Sequence, residues 1–119
     1  MKIAITGHLN GIGKSCYELL SHKGHNVIGF DVEDSSGDIA KDRDDIILKA
    51  NNCEVFINNA FTMSGAQIDM FNQIYEKWKD DTYKMSPDSV ALYVAWVLEQ
   101  PDDIEVLDVA VRRKPHEDR

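Results

Sequence analysis

Apolar residues fall into short continuous runs separated by stretches with helical spacing, and this alternation predicts strand, helix, strand, helix. Lys2–Thr6 is a short apolar run that ends at a glycine, the signature of a buried strand. From Gly11 to about Lys23, the residues Ile12, Cys16, Leu19 and Leu20 recur at helical spacing, and Gly24 supplies a C-terminal stop. Asn26–Asp31, with Val27, Ile28 and Phe30, is the next strand, and Asp38-Ile39 is marked as a very short third one. Asp42–Asn51 reads as a helix with acids in its first turn, where the dipole favours them, and with Ile46, Ile47 and Ala50 inward. Glu54–Asn58 is a fourth apolar strand.

Beyond it, 64–79 carries Ile68, Phe71, Tyr75 and Trp78 on one helical face. Ser86-Pro87-Asp88 is a helix start: a capping serine, a proline in the first turn, then an acid. That helix is expected to run to about Gln100 and stop before Pro101. Its stretch Val90–Leu98 is nine apolar residues in a row. Val90, Val94, Val97 and Leu98 are expected to face the sheet, leaving Leu92, Tyr93, Ala95 and Trp96 pointing elsewhere. A helix that is apolar all round needs a second cover, which predicts a homodimer through the 87–100 helix, the rival being that the 64–79 helix folds over that side and the protein stays monomeric. Ile104–Val111 closes the chain as a last strand. The whole alternation argues for a parallel sheet with helices on both faces, forming one domain over 1–111 with a charged tail at 112–119.

Composition narrows the partners. The 119 residues suffice for one small core, and the net charge of −8 lacks the clustered positive charge that nucleic acid or an anionic membrane requires. The basic run Arg112-Arg113-Lys114 passes at once into Pro115, His116, Glu117 and Asp118, a solvated tail. No apolar stretch approaches the ~20 residues that cross a bilayer. Cys16 and Cys53 have no metal-ligand spacing, so no metal site is expected. With no secretion signal, they are expected to be reduced thiols of a cytoplasmic protein.

The chemistry concentrates in Thr6-Gly7-His8-Leu9-Asn10-Gly11-Ile12-Gly13, between the first strand and the first helix. Gly7 allows a sharp turn, Gly11 clears space for a diphosphate against backbone, and Gly13 lets the helix approach the sheet. The helix N-terminus offers free N–H groups and a partial positive charge. Asp31, at the end of the second strand, is placed to accept hydrogen bonds from both hydroxyls of an adenine ribose and to repel a 2′-phosphate. NAD is therefore expected over NADP. Gly13-Lys14-Ser15 ends like a nucleoside-triphosphate loop, but the glycine required five residues before Gly13 is His8 instead. His8 itself reads either as a donor to phosphate or as a partly exposed turn residue.

These residues resemble the short-chain dehydrogenase/reductase family. Thr6-Gly-x-x-x-Gly11-Ile12-Gly13 is similar to its cofactor signature, and Asp31 to the ribose acid of its NAD-preferring members. Asp38-Ile39 resembles the pair that meets the adenine. Asn58-Asn59-Ala60 is similar to the family's Asn-Asn-Ala-Gly, with Phe61 in place of the last glycine. Ser86–Ala91 and Ile104–Val109 look like its last helix and strand. The resemblance implies a Rossmann-like doubly wound sheet shortened to about five strands, in the order 3-2-1-4 plus the last strand. It also implies Gly7, Asn10, Gly11, Ile12, Gly13, Asp31, Asp38, Ile39, Asn58, Asn59 and Ala60 as cofactor-binding residues.

About twenty-five residues separate Asn59 from Ser86, where the family carries a helix, a strand with the catalytic serine and Tyr-x-x-x-Lys. Tyr75 and Lys79 have that last spacing, with Lys79 lowering the tyrosine pKa in the catalytic reading. They come too soon after Asn59, and Tyr75 shares the apolar face of Trp78, which favours packing. Three functions stay open: an NAD(P)-binding protein with weak or no dehydrogenase turnover, a minimal NAD(P)-dependent oxidoreductase with a non-standard acid or an oligomeric site, and a binder of another phosphorylated ligand.

Overall fold

The computed structural model describes residues 1–60, 69, 70, 73 and 86–107. The expected helix over 64–79, apart from 69, 70 and 73, lies outside the described residues, as do 108–111 and the tail at 112–119. The described elements are β1 (Lys2–Thr6), α1 (Gly11–His22), β2 (Asn26–Phe30), α2 (Arg43–Ala50), β3 (Val55–Ile57) and α3 (Pro87–Leu98).

β1 is apolar and buried from Ile3 to Ile5, as suits a strand covered on both faces. It is the middle strand of a three-stranded parallel sheet of order β2-β1-β3. Ile3 lies opposite Val27 and Val55, and Ile5 opposite Gly29 and Ile57. Successive side chains on a strand point to opposite faces. Ile3 and Ile5 therefore meet Leu20 and Cys16 of α1 and Ala95 and Ala91 of α3, while Ala4 meets Phe30 and Ile46 of α2. The result is three layers, α1 and α3 on one side of the sheet and α2 on the other.

Ala91 and Ala95 are four apart, so they lie on one stripe of α3 and let it approach α1 closely. Ala95 is thus central to the inner face, not turned away from it as the apolar run suggested. Leu92, Tyr93 and Trp96 do point outward, at 60%, 50% and 53% exposure. On α2 the inward residue is Ile46 alone, with Ala50 packed beside it, and Ile47 is turned to solvent.

The helix ends follow their local signals. The Ser86 hydroxyl accepts the Ser89 N–H at 3.1 Å, with Pro87 in the first turn of α3. At the end of α1, Gly24 N–H donates to the Ser21 carbonyl at 3.0 Å and His25 N–H to the Leu20 carbonyl at 3.1 Å. That paired pattern is the Schellman motif, which satisfies carbonyls the helix leaves over. Lys23 Nζ lies 3.2 Å from Glu99 Oε1, tying the C-terminal ends of α1 and α3 together.

Among the described residues the sheet has three strands, and neither Asp38-Ile39 nor 104–107 adds one. Asp38-Ile39 is a turn. The Asp38 carboxylate accepts the Ala40 N–H at 2.8 Å, and its carbonyl accepts from Lys41 and Asp42. An aspartate that bonds its own following backbone starts a turn in place of a ladder. The described part of the last strand, Ile104–Leu107, is also irregular. Ile104 N–H donates to the Pro101 carbonyl at 3.0 Å, closing a turn, and Leu107 is 84% exposed.

His8 is buried, at 8% exposure, and not a partly exposed turn residue. Its ring rests on Gly29 of β2, with the Tyr17 ring centroid 5.0 Å away. A Cβ on Gly29 would collide with the imidazole. Gly29→Ala is therefore expected to destabilise the fold by roughly 1–3 kcal/mol, the usual cost of overpacking. Urea denaturation of Gly29→Ala, His8→Ala and the double variant checks it, because adjacent sites couple. The double variant should lose clearly less than the sum of the singles; strict additivity would show that the two residues are not in conflict.

Candidate functional site

β2 and β3 flank β1 on opposite sides, so the strand order reverses beside the carboxyl end of β1. In open parallel sheets such a switch point is where ligands bind. A cleft of about 600 Å³ opens there, within the usual ~300–1,000 Å³ range of small-molecule sites. The glycine turn contributes Gly7, Asn10, Gly11 and Ile12 to its lining. The end of β2 and the loop after it contribute Phe30, Asp31, Val32, Gly37, Asp38 and Ile39, and the chain after β3 contributes Asn59 and Ala60.

The turn is held from both sides. Gly7 N–H donates to the Phe30 carbonyl at 2.7 Å, fastening it to β2. The Asn59 amide nitrogen donates to the carbonyls of Thr6 and Gly7, each at 3.1 Å. The buried Thr6 hydroxyl accepts the backbone N–H of Asn59 at 3.1 Å and of Ala60 at 3.0 Å. Gly13 does not line the cleft. It is buried, and a Cβ there would collide with the Gly7 carbonyl, so its role is the close approach of α1 to the turn. Gly11 has φ of +57°, a backbone region that favours glycine, and a Cβ there would point into open space.

Among the described residues, no side chain caps the start of α1. Asn10 occupies the capping position but makes no side-chain bond to the helix, and no acid stands in the first turn. Its amide nitrogen donates instead to Glu33 Oε1 at 2.8 Å. The first intrahelical bond is Lys14 N–H to the Asn10 carbonyl, at 3.2 Å. The preceding N–H groups, with the helix dipole behind them, form a surface suited to an anion.

Asp31 is 9% exposed, and its carboxylate is oriented by backbone. Oδ2 accepts the Leu9 N–H at 3.2 Å and Oδ1 the Glu33 N–H at 3.0 Å. A carboxylate offers about four acceptor positions, so each oxygen retains one for a ligand. The loop after it folds back on Asp31: Ser36 and Gly37 N–H donate to the Asp31 carbonyl at 3.1 and 3.3 Å, and Asp31 N–H donates to Ser36 Oγ at 2.8 Å. The Ser36 hydroxyl, followed by its backbone N–H, holds the Asp34 carboxyl below the usual carboxylate range. A carboxyl lowered in the folded state stabilises it at neutral pH, and that contribution is lost only as pH falls through the lowered value. His8 Nε2 lies 3.7 Å from Asp34 Oδ2, and its buried Nδ1 has no partner among the described residues.

Of the residues marked in the sequence, the cleft gathers all but Gly13 and Asn58. Asn58 is exposed and does not line it. Sequence reasoning passed over Thr6 as an anchor, Val32 and Gly37 as walls and Glu33 as the partner of Asn10. Only Thr6 carried a signal, as a hydroxyl in an otherwise apolar strand. Ile12, expected on the inner helical face, is 44% exposed and serves the cleft. Among the described residues no group of His, Cys, Asp and Glu could hold a metal ion. No described helix is long and apolar enough to cross a membrane. No protein-family model matches the chain, and neither a curated protein nor a solved structure does.

Thr6→Val keeps the shape of the anchor but removes the acceptor of two N–H groups. It is expected to destabilise the protein by about 1–3 kcal/mol, the cost of an unsatisfied buried donor. A shift in the urea midpoint equivalent to less than about 0.5 kcal/mol, the range of ordinary surface substitutions, would show that the anchor is dispensable.

Proposed function

We propose that this chain binds NAD(H) in preference to NADP(H) and has weak or no dehydrogenase turnover of its own. The observation that carries the reading is the pairing, across one cleft, of an uncapped helix N-terminus with an oriented carboxylate, Asp31. The first suits a diphosphate and the second a ribose diol. A 2′-phosphate would meet Asp31, with Asp38 in the same lining, Glu33 beside Asn10 and no basic side chain among the described residues that line the cleft. The resemblance to short-chain dehydrogenases/reductases supports the same ligand. The short interval between Asn59 and Ser86 supports weak turnover.

Calorimetry with NAD and NADP decides the preference; equal or reversed affinity would refute it. Asp31→Ala should narrow the gap and weaken NAD binding by roughly 1.5–3 kcal/mol, the value of a hydrogen bond to a charged group. Turnover of NADH on a panel of carbonyl compounds would overturn the second half of the proposal and favour a minimal oxidoreductase.

The outward residues of α3 support a homodimer as the acting form. Leu92, Tyr93 and Trp96 place three large apolar side chains on one helical surface, and a two-fold axis brings that surface against its own copy. Sedimentation at micromolar concentration should give a dimer, and Trp96→Glu should dissociate it by placing an unpaired charge at the contact. A monomer of 13.5 kDa in the unsubstituted protein would defeat this part.

A further inference from the structure

Asn10 stands at the capping position of α1 with φ of −142° and ψ of 155°. This is the extended geometry from which a side-chain oxygen accepts the second or third helical amide. The Asn10 carbonyl accepts the Lys14 N–H at 3.2 Å, so the backbone half of the cap is made. The side-chain half is not, because the Asn10 side chain makes no bond to the helix. Asparagine is among the strongest capping residues, so α1 forgoes a bond that its own sequence supplies.

Glu33 holds that side chain elsewhere. Its Oε1 accepts the Asn10 amide nitrogen at 2.8 Å, while its backbone N–H donates to Asp31 Oδ1 at 3.0 Å. Residue 33 thus reaches two parts of the cleft: the buried Asp31 carboxylate through its backbone, and Asn10 beside the helix amides through its side chain. An Asn10 side chain folded onto α1 would occupy the N–H of Ile12 or Gly13. Those are the donors that face an anion at a helix start, so cap and ligand compete for the same groups. As a mere neighbour Glu33 would only weaken such a site, because a carboxylate repels an anionic ligand.

Resting on the NAD reading above, we infer that Glu33 is a positioning residue for the cleft: by accepting the Asn10 amide it keeps that side chain off the first amides of α1 and leaves them free for the diphosphate. The helix gives up its own cap so that the ligand can take its place. Glu33 acts through Asn10 and touches no part of the ligand.

Calorimetry with NAD and urea denaturation of the unliganded protein test this on the full 119-residue chain, unsubstituted and as Glu33→Ala and Glu33→Gln. Glu33 is exposed, so its truncation leaves no cavity, and the Leu9 N–H bond to Asp31 Oδ2 at 3.2 Å still ties the turn to the loop. In Glu33→Ala the freed Asn10 caps α1. NAD should then bind about fivefold more weakly, the factor that an ordinary N-cap is worth, while the urea midpoint rises. Glu33→Gln keeps the acceptor oxygen without the charge and should restore NAD affinity to within about twofold of the unsubstituted protein. In an Asn10→Ala background, which lacks the capping side chain, Glu33→Ala should cost no affinity. Unchanged or tighter NAD binding in Glu33→Ala would show a bystander charge, and weaker binding with a lower urea midpoint would show a brace of the loop. Either result overturns the inference and leaves the NAD reading intact. So does a Glu33→Gln variant as weak as Glu33→Ala, or a loss that persists in the Asn10→Ala background. An unsubstituted protein that gives no heat with NAD removes the reading and the inference together.

Discussion

Where β1 passes into α1, three backbone segments meet so closely that a single methyl group cannot be inserted. Gly13 in the first turn of the helix faces the Gly7 carbonyl, and the same carbonyl accepts the Asn59 side chain at 3.1 Å. The rest of the site depends on this contact. If α1 stood off by the width of a side chain, its N-terminus would no longer border the cleft. Thr6 and Asn59 would then lose the short reach across which they bind one another. Gly7 is also fastened to Phe30, so the contact sets the distance between the helix end and the Asp31 carboxylate one residue further on.

The layers behind the site serve the same closeness. α1 and α3 cover Ile3 and Ile5 with a narrow set of side chains, and the buried ones along α3 are alanines. Small residues at the seam bring the helices together, while larger ones at its edges, Val94 and Leu98, fill the remaining space. Leu20 and Ile3 are fully buried, which anchors the distal end of α1 and leaves its orientation little freedom. On the opposite face, Ile46 packs on Phe30 and Ala4 and supports the loop that carries Asp31 and Asp38.

Much of this was legible in the residues because local and global preferences agree. Continuous apolar runs marked β1 and β3, the Gly24 stop closed α1, and Ser86-Pro87 opened α3. The cleft was legible because glycine spacing and an acid at a strand end are backbone requirements, visible without tertiary contacts. Errors arose where tertiary packing or side-chain-to-backbone bonding decides. Asp38 carries a strand-like neighbour in Ile39, yet its carboxylate turns the chain. Ala95 looked marginal in a run of bulky residues and is central because helix and sheet must come close. His8 looked like a turn residue, and its seat on Gly29 exists only once β2 lies beside β1. Glu33 gave no sign at all, since its bond to Asn10 joins two loops twenty-three positions apart.

The diversion of Asn10 toward Glu33 leaves the first amides of α1 without a side-chain acceptor from the capping position, although the turn that carries them is packed against Gly7. An anion docked on those amides would supply the missing cap. Occupancy would then be written into the exchange rates of a few amide protons, at Gly11, Ile12 and Gly13, while the buried strand β1 beneath them stayed unchanged.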